Sequence, residues 1–100
     1  MTRVVITGQG TINALGRSVA ETQEAMREGR CGIGPLDFRD VDRLSIRLGG
    51  QVRDYDAEDH FNRQQNALYD RFTQFTLLSA REAIAQSGLS FAGDLAARTG

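Results

Sequence analysis

The stretch Arg3-Val4-Val5-Ile6-Thr7-Gly8-Gln9-Gly10 lies near the start of the chain and gives the clearest indication of its fold. Its three β-branched residues form a short apolar run, which is typical of a strand covered on both faces in a parallel sheet. Glycines at positions 8, 10 and 16 mark the loop that leaves this strand. The stretch therefore predicts an α/β fold that begins with a buried strand.

A helix is predicted directly after this loop. Ser18 and Glu21 have the S-x-x-E spacing of a capping box, in which each side chain binds a backbone amide near the other. Arg27 and Arg30 place positive charge near the carbonyl end of the helix, and Gly29 supplies a left-handed stop.

The middle of the chain carries weaker signals. Residues 31–45 contain two glycines, the only proline and mixed charges, which predicts a surface loop. Ile46 and Leu48 alternate with polar residues before Gly49-Gly50, which indicates a short edge or hairpin strand. Asp56 is expected to cap a short helical turn.

The longest predicted element is a helix from about Tyr69 to Ser87, with Asp70 as its candidate N-cap and Gly88 as its terminator. Its apolar residues lie on more than one side, which is typical of a helix packed inside a larger protein. Only a polar turn and the pair Leu95-Ala96 follow, so no later element is expected to complete the parallel sheet. We therefore expect residues 1–100 to be a truncated piece of a larger domain.

The composition argues against several classes of protein. Twelve basic and 13 acidic residues give a formal net charge of −1, and the arginines are scattered, so no nucleic-acid partner is expected. No stretch approaches the roughly 18 apolar residues that span a bilayer, and no apolar signal region follows Met1. Cys31 is the only cysteine, which excludes an internal disulfide. We expect a cytoplasmic protein with no membrane partner.

The glycine loop has part of the dinucleotide-binding motif G-x-G-x-x-G. Gly8 and Gly10 occupy the first two glycine positions, but Asn13 stands at the third. Ile12 stands where the spacing of short-chain dehydrogenases requires glycine. A tight turn with close backbone packing is the preferred interpretation, and a nucleotide-binding α/β module stays an alternative. We expect no cofactor.

Cys31, His60 and an acidic cluster are the other candidates for chemistry. Cys31 follows a helix C-terminus, whereas a reactive thiolate favours a helix N-terminus and a nearby base, and His60 is the only histidine. The acidic cluster consists of Asp54, Asp56, Glu58, Asp59 and His60. It lacks the glycine and glutamate positions of an EF-hand and the further Cys or His ligands of a zinc site. We assign no catalytic, cofactor-binding or metal residue to the chain.

Several stretches, taken in order, resemble the N-terminal region of β-ketoacyl-acyl carrier protein synthases, most closely the type II enzymes of bacterial fatty acid synthesis. They are residues 3–10, 15–16, 30–35, 50–56, 70–75, 80–84 and 87–89. The resemblance covers essentially the whole chain. It implies the thiolase-like αβαβα layered fold, of which residues 1–100 would be the N-terminal part, and a homodimer.

The same resemblance implies an acyltransferase that condenses an acyl thioester with malonyl-acyl carrier protein by decarboxylative Claisen chemistry. In this family a cysteine carries the acyl chain, and two histidines assist decarboxylation and stabilise the oxyanion. The resemblance places all three beyond residue 100, so this segment is expected to be scaffold. The alternative is a catalytically silent partner subunit that resembles a chain-length factor.

Two positions depart from the family pattern. Ala14 stands where the family commonly has a proline, a change expected to affect only the stiffness of the loop. The helix before Asp70 often carries basic residues that meet the acidic carrier protein, whereas here Arg63 is the only charge in residues 63–68, with Arg71 nearby. Because fewer exposed charges slow encounter and lower affinity, we expect that carrier-protein docking uses other surfaces or that the protein has drifted from housekeeping elongation.

Overall fold

The computed structural model describes all 100 residues and combines helices with one small sheet. The helices are α1 (Val19–Arg27), α2 (Arg63–Leu68), α3 (Arg71–Ser87) and α4 (Gly93–Ala97). The strands are β1 (Ile33–Pro35) and β2 (Leu48–Gly50), and 3₁₀ turns occupy Val41–Arg43 and Ala57–Asp59. No helix is long and apolar enough to cross a bilayer.

Helix α1 confirms the prediction made from its capping residues. Ser18 Oγ accepts a hydrogen bond from the Glu21 amide at 3.1 Å. The Glu21 carboxylate accepts from the Arg17 amide at 2.7 Å, one residue earlier than a standard capping box requires. Gly29 has a φ of +70° and ends the helix in the left-handed region, as expected.

Strands β1 and β2 form an antiparallel pair in which Ile33 lies opposite Gly50 and Pro35 lies opposite Leu48. The expected strand is confirmed at Leu48, but it begins there rather than at Ile46 and continues through the two glycines. The prediction of a surface loop for residues 31–45 was wrong at β1. Gly34 and Pro35 are poor strand formers, so pairing with β2 rather than local propensity makes this segment a strand.

The segment between β2 and α3 holds one confirmed cap and one helix that was missed. Asp56 Oδ1 accepts from the Glu58 amide at 2.9 Å and caps the 3₁₀ turn, as predicted. Helix α2 was not predicted from the residues. Asn62 Oδ1 accepts a hydrogen bond from the Gln65 amide at 2.9 Å, and Gln65 Oε1 accepts one from the Asn62 amide at 3.0 Å. This reciprocal cap starts the helix.

Helix α3 is the longest element and ends, as predicted, at Gly88 with a φ of +69°. It begins at Arg71, and Asp70 occupies the N-cap position without a side-chain hydrogen bond. Within the chain the helix is largely uncovered, because Phe72 is 71% exposed and Gln74 is its only buried residue. After α3, the short helix α4 stands where only a polar turn was expected.

The run Val4-Val5-Ile6 does not form the predicted strand. It is irregular, and its side chains are 92%, 71% and 83% exposed, respectively. A strand requires a neighbour to accept and donate its backbone hydrogen bonds, and the only two-stranded sheet in the chain is the antiparallel pair β1-β2. The sequence preference of this run is therefore not realised within residues 1–100.

The core of the segment is very small. Ala25 and Phe61 are its only buried apolar residues. The accessible surface is 8146 Å², whereas a compact monomer of this mass exposes about 5,600 Å². The radius of gyration is 17.1 Å, against about 13 Å for a compact domain of 100 residues. The segment thus combines helix and strand, and its residues bury little apolar surface against one another.

Candidate functional site

The glycine loop, residues 7–16, packs directly against the backbone of α3. A Cβ atom at Gly8 would overlap the carbonyl oxygen of Ala83, and one at Gly10 would overlap the carbonyl oxygen of Ser79. Such an approach requires glycine in the loop, and it is helped by the small side chains on α3. The interpretation of these glycines as close-packing residues is confirmed.

Glu82 of α3 binds both the middle of the glycine loop and the first residue of α1. Its Oε1 accepts from the Thr11 amide at 2.9 Å, and its Oε2 accepts from the Val19 amide, also at 2.9 Å. Val19 is the first residue of α1, so the carboxylate lies at the positive end of that helix. One turn later on α3, Gln86 Oε1 accepts from the Gln9 amide at 2.6 Å.

Asn13, the residue that breaks the dinucleotide motif, organises the interior of the loop. Its Oδ1 accepts from the amides of Leu15 and Gly16, at 2.8 and 3.2 Å. Its Nδ2 donates to the hydroxyls of Thr11 and Thr22, both at 3.0 Å. All the hydrogen-bonding capacity of the amide group is thus used, as in an Asx turn tied to the neighbouring helix.

This arrangement argues against a phosphate cradle in the glycine loop. A phosphate site at a strand-to-helix loop depends on backbone amides that point at the ligand and are free to donate. Here many of those amides already donate to side chains of the protein. They are the amides of Gln9, Thr11, Leu15, Gly16, Arg17, Val19 and Glu21. Two of the acceptors are carboxylates, which would also repel a phosphate.

Cys31 and His60 are not brought together into a catalytic pair. Cys31 is exposed, and its sulfur accepts from the amide of Ile33 at 3.4 Å. The neighbouring Arg30 pairs with Glu28 at 2.8 Å. His60 instead stacks on the ring of Tyr55, with 5.8 Å between ring centroids. Neither residue has a partner that would activate it for chemistry.

The acidic cluster does not gather into a metal site. No group of three His, Cys, Asp or Glu side chains in the chain has the geometry to hold a metal ion. Asp56 is engaged as the cap of the 3₁₀ turn, and Glu58 and Asp59 lie in the first turn of that element. This placement fits the interpretation of a solvated acidic helix start.

A polar and aromatic cluster at the N-terminal end of α3 was missed in the sequence. The Tyr55 hydroxyl hydrogen-bonds Gln74 Oε1 at 2.6 Å, and Gln74 Nε2 donates to the Tyr69 carbonyl at 3.1 Å. Phe75 meets the Tyr55 ring edge-on, and the Arg71 guanidinium lies 5.2 Å from its centroid. Burial raises the pKa of Tyr55, and the positive charge of Arg71 partly offsets this effect.

Comparison with known proteins identifies the family. The family described as "Beta-ketoacyl synthase, N-terminal domain" matches residues 1–100, the entire chain. The chain belongs to the β-ketoacyl synthase family. The resemblance stated from its ordered stretches is thereby confirmed.

Individual relatives within the β-ketoacyl synthase family agree with this assignment. The chain is 35% identical over 98 residues to 3-oxoacyl-[acyl-carrier-protein] synthase 2 of Staphylococcus aureus (strain N315), a match that covers 98% of the chain and 24% of the relative. It is 37% identical over 82 residues to the enzyme of the same name from Synechocystis sp., covering 82% of the chain and 20% of the relative. The chain thus spans about a quarter of the length of these curated relatives.

Within this chain, the best-defined side-chain clusters are structural. The glycine loop is fixed to α3 by Glu82 and Gln86, and Tyr55 is fixed to the start of α3 by Gln74. Glu82 could not be singled out in the sequence because its partners lie 71 and 63 residues away. The one available signal was a carboxylate on a helix that is otherwise apolar on two sides.

Proposed function

We propose that this chain is the N-terminal scaffold of a 3-oxoacyl-[acyl-carrier-protein] synthase, an acyltransferase of fatty acid or polyketide synthesis. The observation that carries the proposal is the family match over residues 1–100, together with relatives of that name at 35–37% identity. The glycine loop argues against the nucleotide-binding alternative, because several of its backbone amides donate to side chains of the protein.

The proposed reaction joins two carrier-protein thioesters. A cysteine thiolate first attacks the acyl thioester, and the carrier's thiol leaves as the acyl group moves to the enzyme. The malonyl thioester then loses CO₂, and the enolate carbon so formed attacks the acyl carbonyl and expels the cysteine thiolate. The product is a 3-oxoacyl thioester. We place the nucleophile and both assisting histidines outside residues 1–100.

We propose that the whole synthase has the thiolase-like αβαβα fold, with Val4-Val5-Ile6 as an interior strand. The exposure of this β-branched run supports the idea, because all three residues have strand preference and no neighbour within the segment. The same holds for α3, whose Phe72 and Ile84 are 71% and 46% exposed. Both elements would be covered by later parts of the synthase.

An acyl carrier protein is the proposed partner, as the names of the relatives indicate. Helix α2 offers this acidic partner only Arg63, and Arg71 follows at the start of α3. Neither arginine pairs with a carboxylate within the chain. Both guanidinium groups are therefore available to an acidic partner. Two charges alone would give only weak electrostatic steering of the carrier protein towards the synthase. We also propose a homodimer that works in the cytoplasm.

A condensation assay with the full-length protein tests this function. Purified synthase is incubated with an acyl-carrier protein and malonyl-carrier protein, and CO₂ release and the 3-oxoacyl product are measured. We expect both products in equal amounts. If neither product forms, and the protein instead forms a stable dimer with an active synthase, the silent-partner alternative replaces the enzyme.

A further inference from the structure

We draw no further inference here: the strongest candidate, the open groove between the β1-β2 hairpin and the N-terminal end of α3, where Arg71 adjoins Phe38, Val52 and Phe75, carries nothing because nothing in the structure shows what covers it.

Discussion

The Glu82 carboxylate accepts a hydrogen bond from the Val19 amide at 2.9 Å, which fixes the first residue of α1 to the middle of α3. The other oxygen of the same carboxylate holds the Thr11 amide at 2.9 Å. One half-buried side chain therefore connects the glycine loop and two helices that are far apart in sequence. The Glu82 carboxylate is thus one of the links that hold the glycine loop and the start of α1 against α3.

The first prediction concerns the two acceptor oxygens of this carboxylate. Glu82→Gln replaces one oxygen with an NH₂ group, which cannot accept from either backbone amide. A half-buried amide then loses its partner, so we expect the full-length protein to lose about 1–3 kcal/mol of stability. The measurement is the urea midpoint, with hydrogen exchange of residues 9–19 as a local readout. Faster exchange is expected at whichever of the Thr11 and Val19 amides loses its acceptor.

A matched control for this substitution is Glu24→Gln. Glu24 is an exposed residue of α1 that pairs with Arg27, and exposed pairs contribute less than about 1 kcal/mol. We expect little change in the urea midpoint and normal exchange in the loop. Equal effects of the two substitutions would show that Glu82 does not hold the loop.

The second prediction concerns the approach of the glycine loop to α3. Gly10→Ala would drive a Cβ atom into the carbonyl of Ser79, which belongs to the helix backbone and cannot rotate away. We expect a loss of about 3 kcal/mol or more, or failure to fold, because packing strain is concentrated on a rigid element. Soluble yield and thermal midpoint of the full-length protein are the measurements.

Substitutions at two other glycines serve as controls for the loss of stability expected of Gly10→Ala. Gly29 has a φ of +70° with open space around it, so Gly29→Ala should cost only about 1 kcal/mol of backbone strain. Gly100 has neither strain nor a close neighbour, and Gly100→Ala is expected to be neutral. A Gly10→Ala protein as stable as the Gly100→Ala protein would contradict the close packing.

The third prediction follows from the half-buried side chain of Tyr55. Burial raises its pKa above the ordinary value of 10.0, so the folded protein retains the phenol proton longer than the unfolded chain does. The resulting stabilisation is complete below pH 10 and disappears as the pH rises through the folded pKa. We expect the stability of the full-length protein to fall with pH in this range, and Tyr55→Phe to remove the Tyr55 contribution.

The same substitution should also lower stability at neutral pH. It removes the 2.6 Å hydrogen bond to Gln74, which is 6% exposed, and leaves Gln74 Oε1 without a partner, at a cost of about 1–3 kcal/mol. Urea midpoints at pH 7 and above pH 10 measure both effects. A Tyr55→Phe protein whose alkaline loss equals that of the parent would rule out Tyr55 as its source.

For α1, α3 and β1, how far the sequence predicts the structure depends on the range of the interactions involved. Helix α2 was missed although its cap joins Asn62 and Gln65, which are close in sequence. Helix α1 and the end of α3 were predicted because Ser18, Gly29 and Gly88 act on neighbouring residues. Strand β1 was missed because its pairing with β2, and not its own Gly34 and Pro35, makes it a strand. Local residues decided the elements that were predicted correctly.

In the candidate site, too, short-range features could be read from the sequence, whereas contacts between distant residues could not. The failed motif at Asn13 argued against a nucleotide, since motif spacing is local information. The roles of Glu82 and of the Tyr55–Gln74 pair were not visible, because each joins segments that only the folded chain brings together. The run Val4-Val5-Ile6 differs from both. Its residues favour a strand, but no other strand within residues 1–100 pairs with it, and its side chains stay exposed.

The fourth prediction concerns residues 1–100 as a separate polypeptide. With only Ala25 and Phe61 as buried apolar residues, folding gains too little to offset the loss of conformational entropy. We expect poor solubility or a molten state that binds a hydrophobic dye and melts without a cooperative transition. Calorimetry and dye fluorescence are the measurements. A sharp, cooperative thermal transition would show that the segment folds by itself.

The fifth prediction concerns carrier-protein docking through Arg63 and Arg71. If both meet the acidic partner, Arg63→Ala with Arg71→Ala removes two exposed charge pairs, each contributing about 0.2–1 kcal/mol. We expect the affinity of the full-length synthase for acyl carrier protein to fall by about 2- to 30-fold, and its salt dependence to become shallower. Titrations across a salt series measure both. Arg43→Ala, at an exposed arginine on the hairpin side, is the matched control and should leave the affinity unchanged. An unchanged affinity in the double variant would place docking on other surfaces of the synthase.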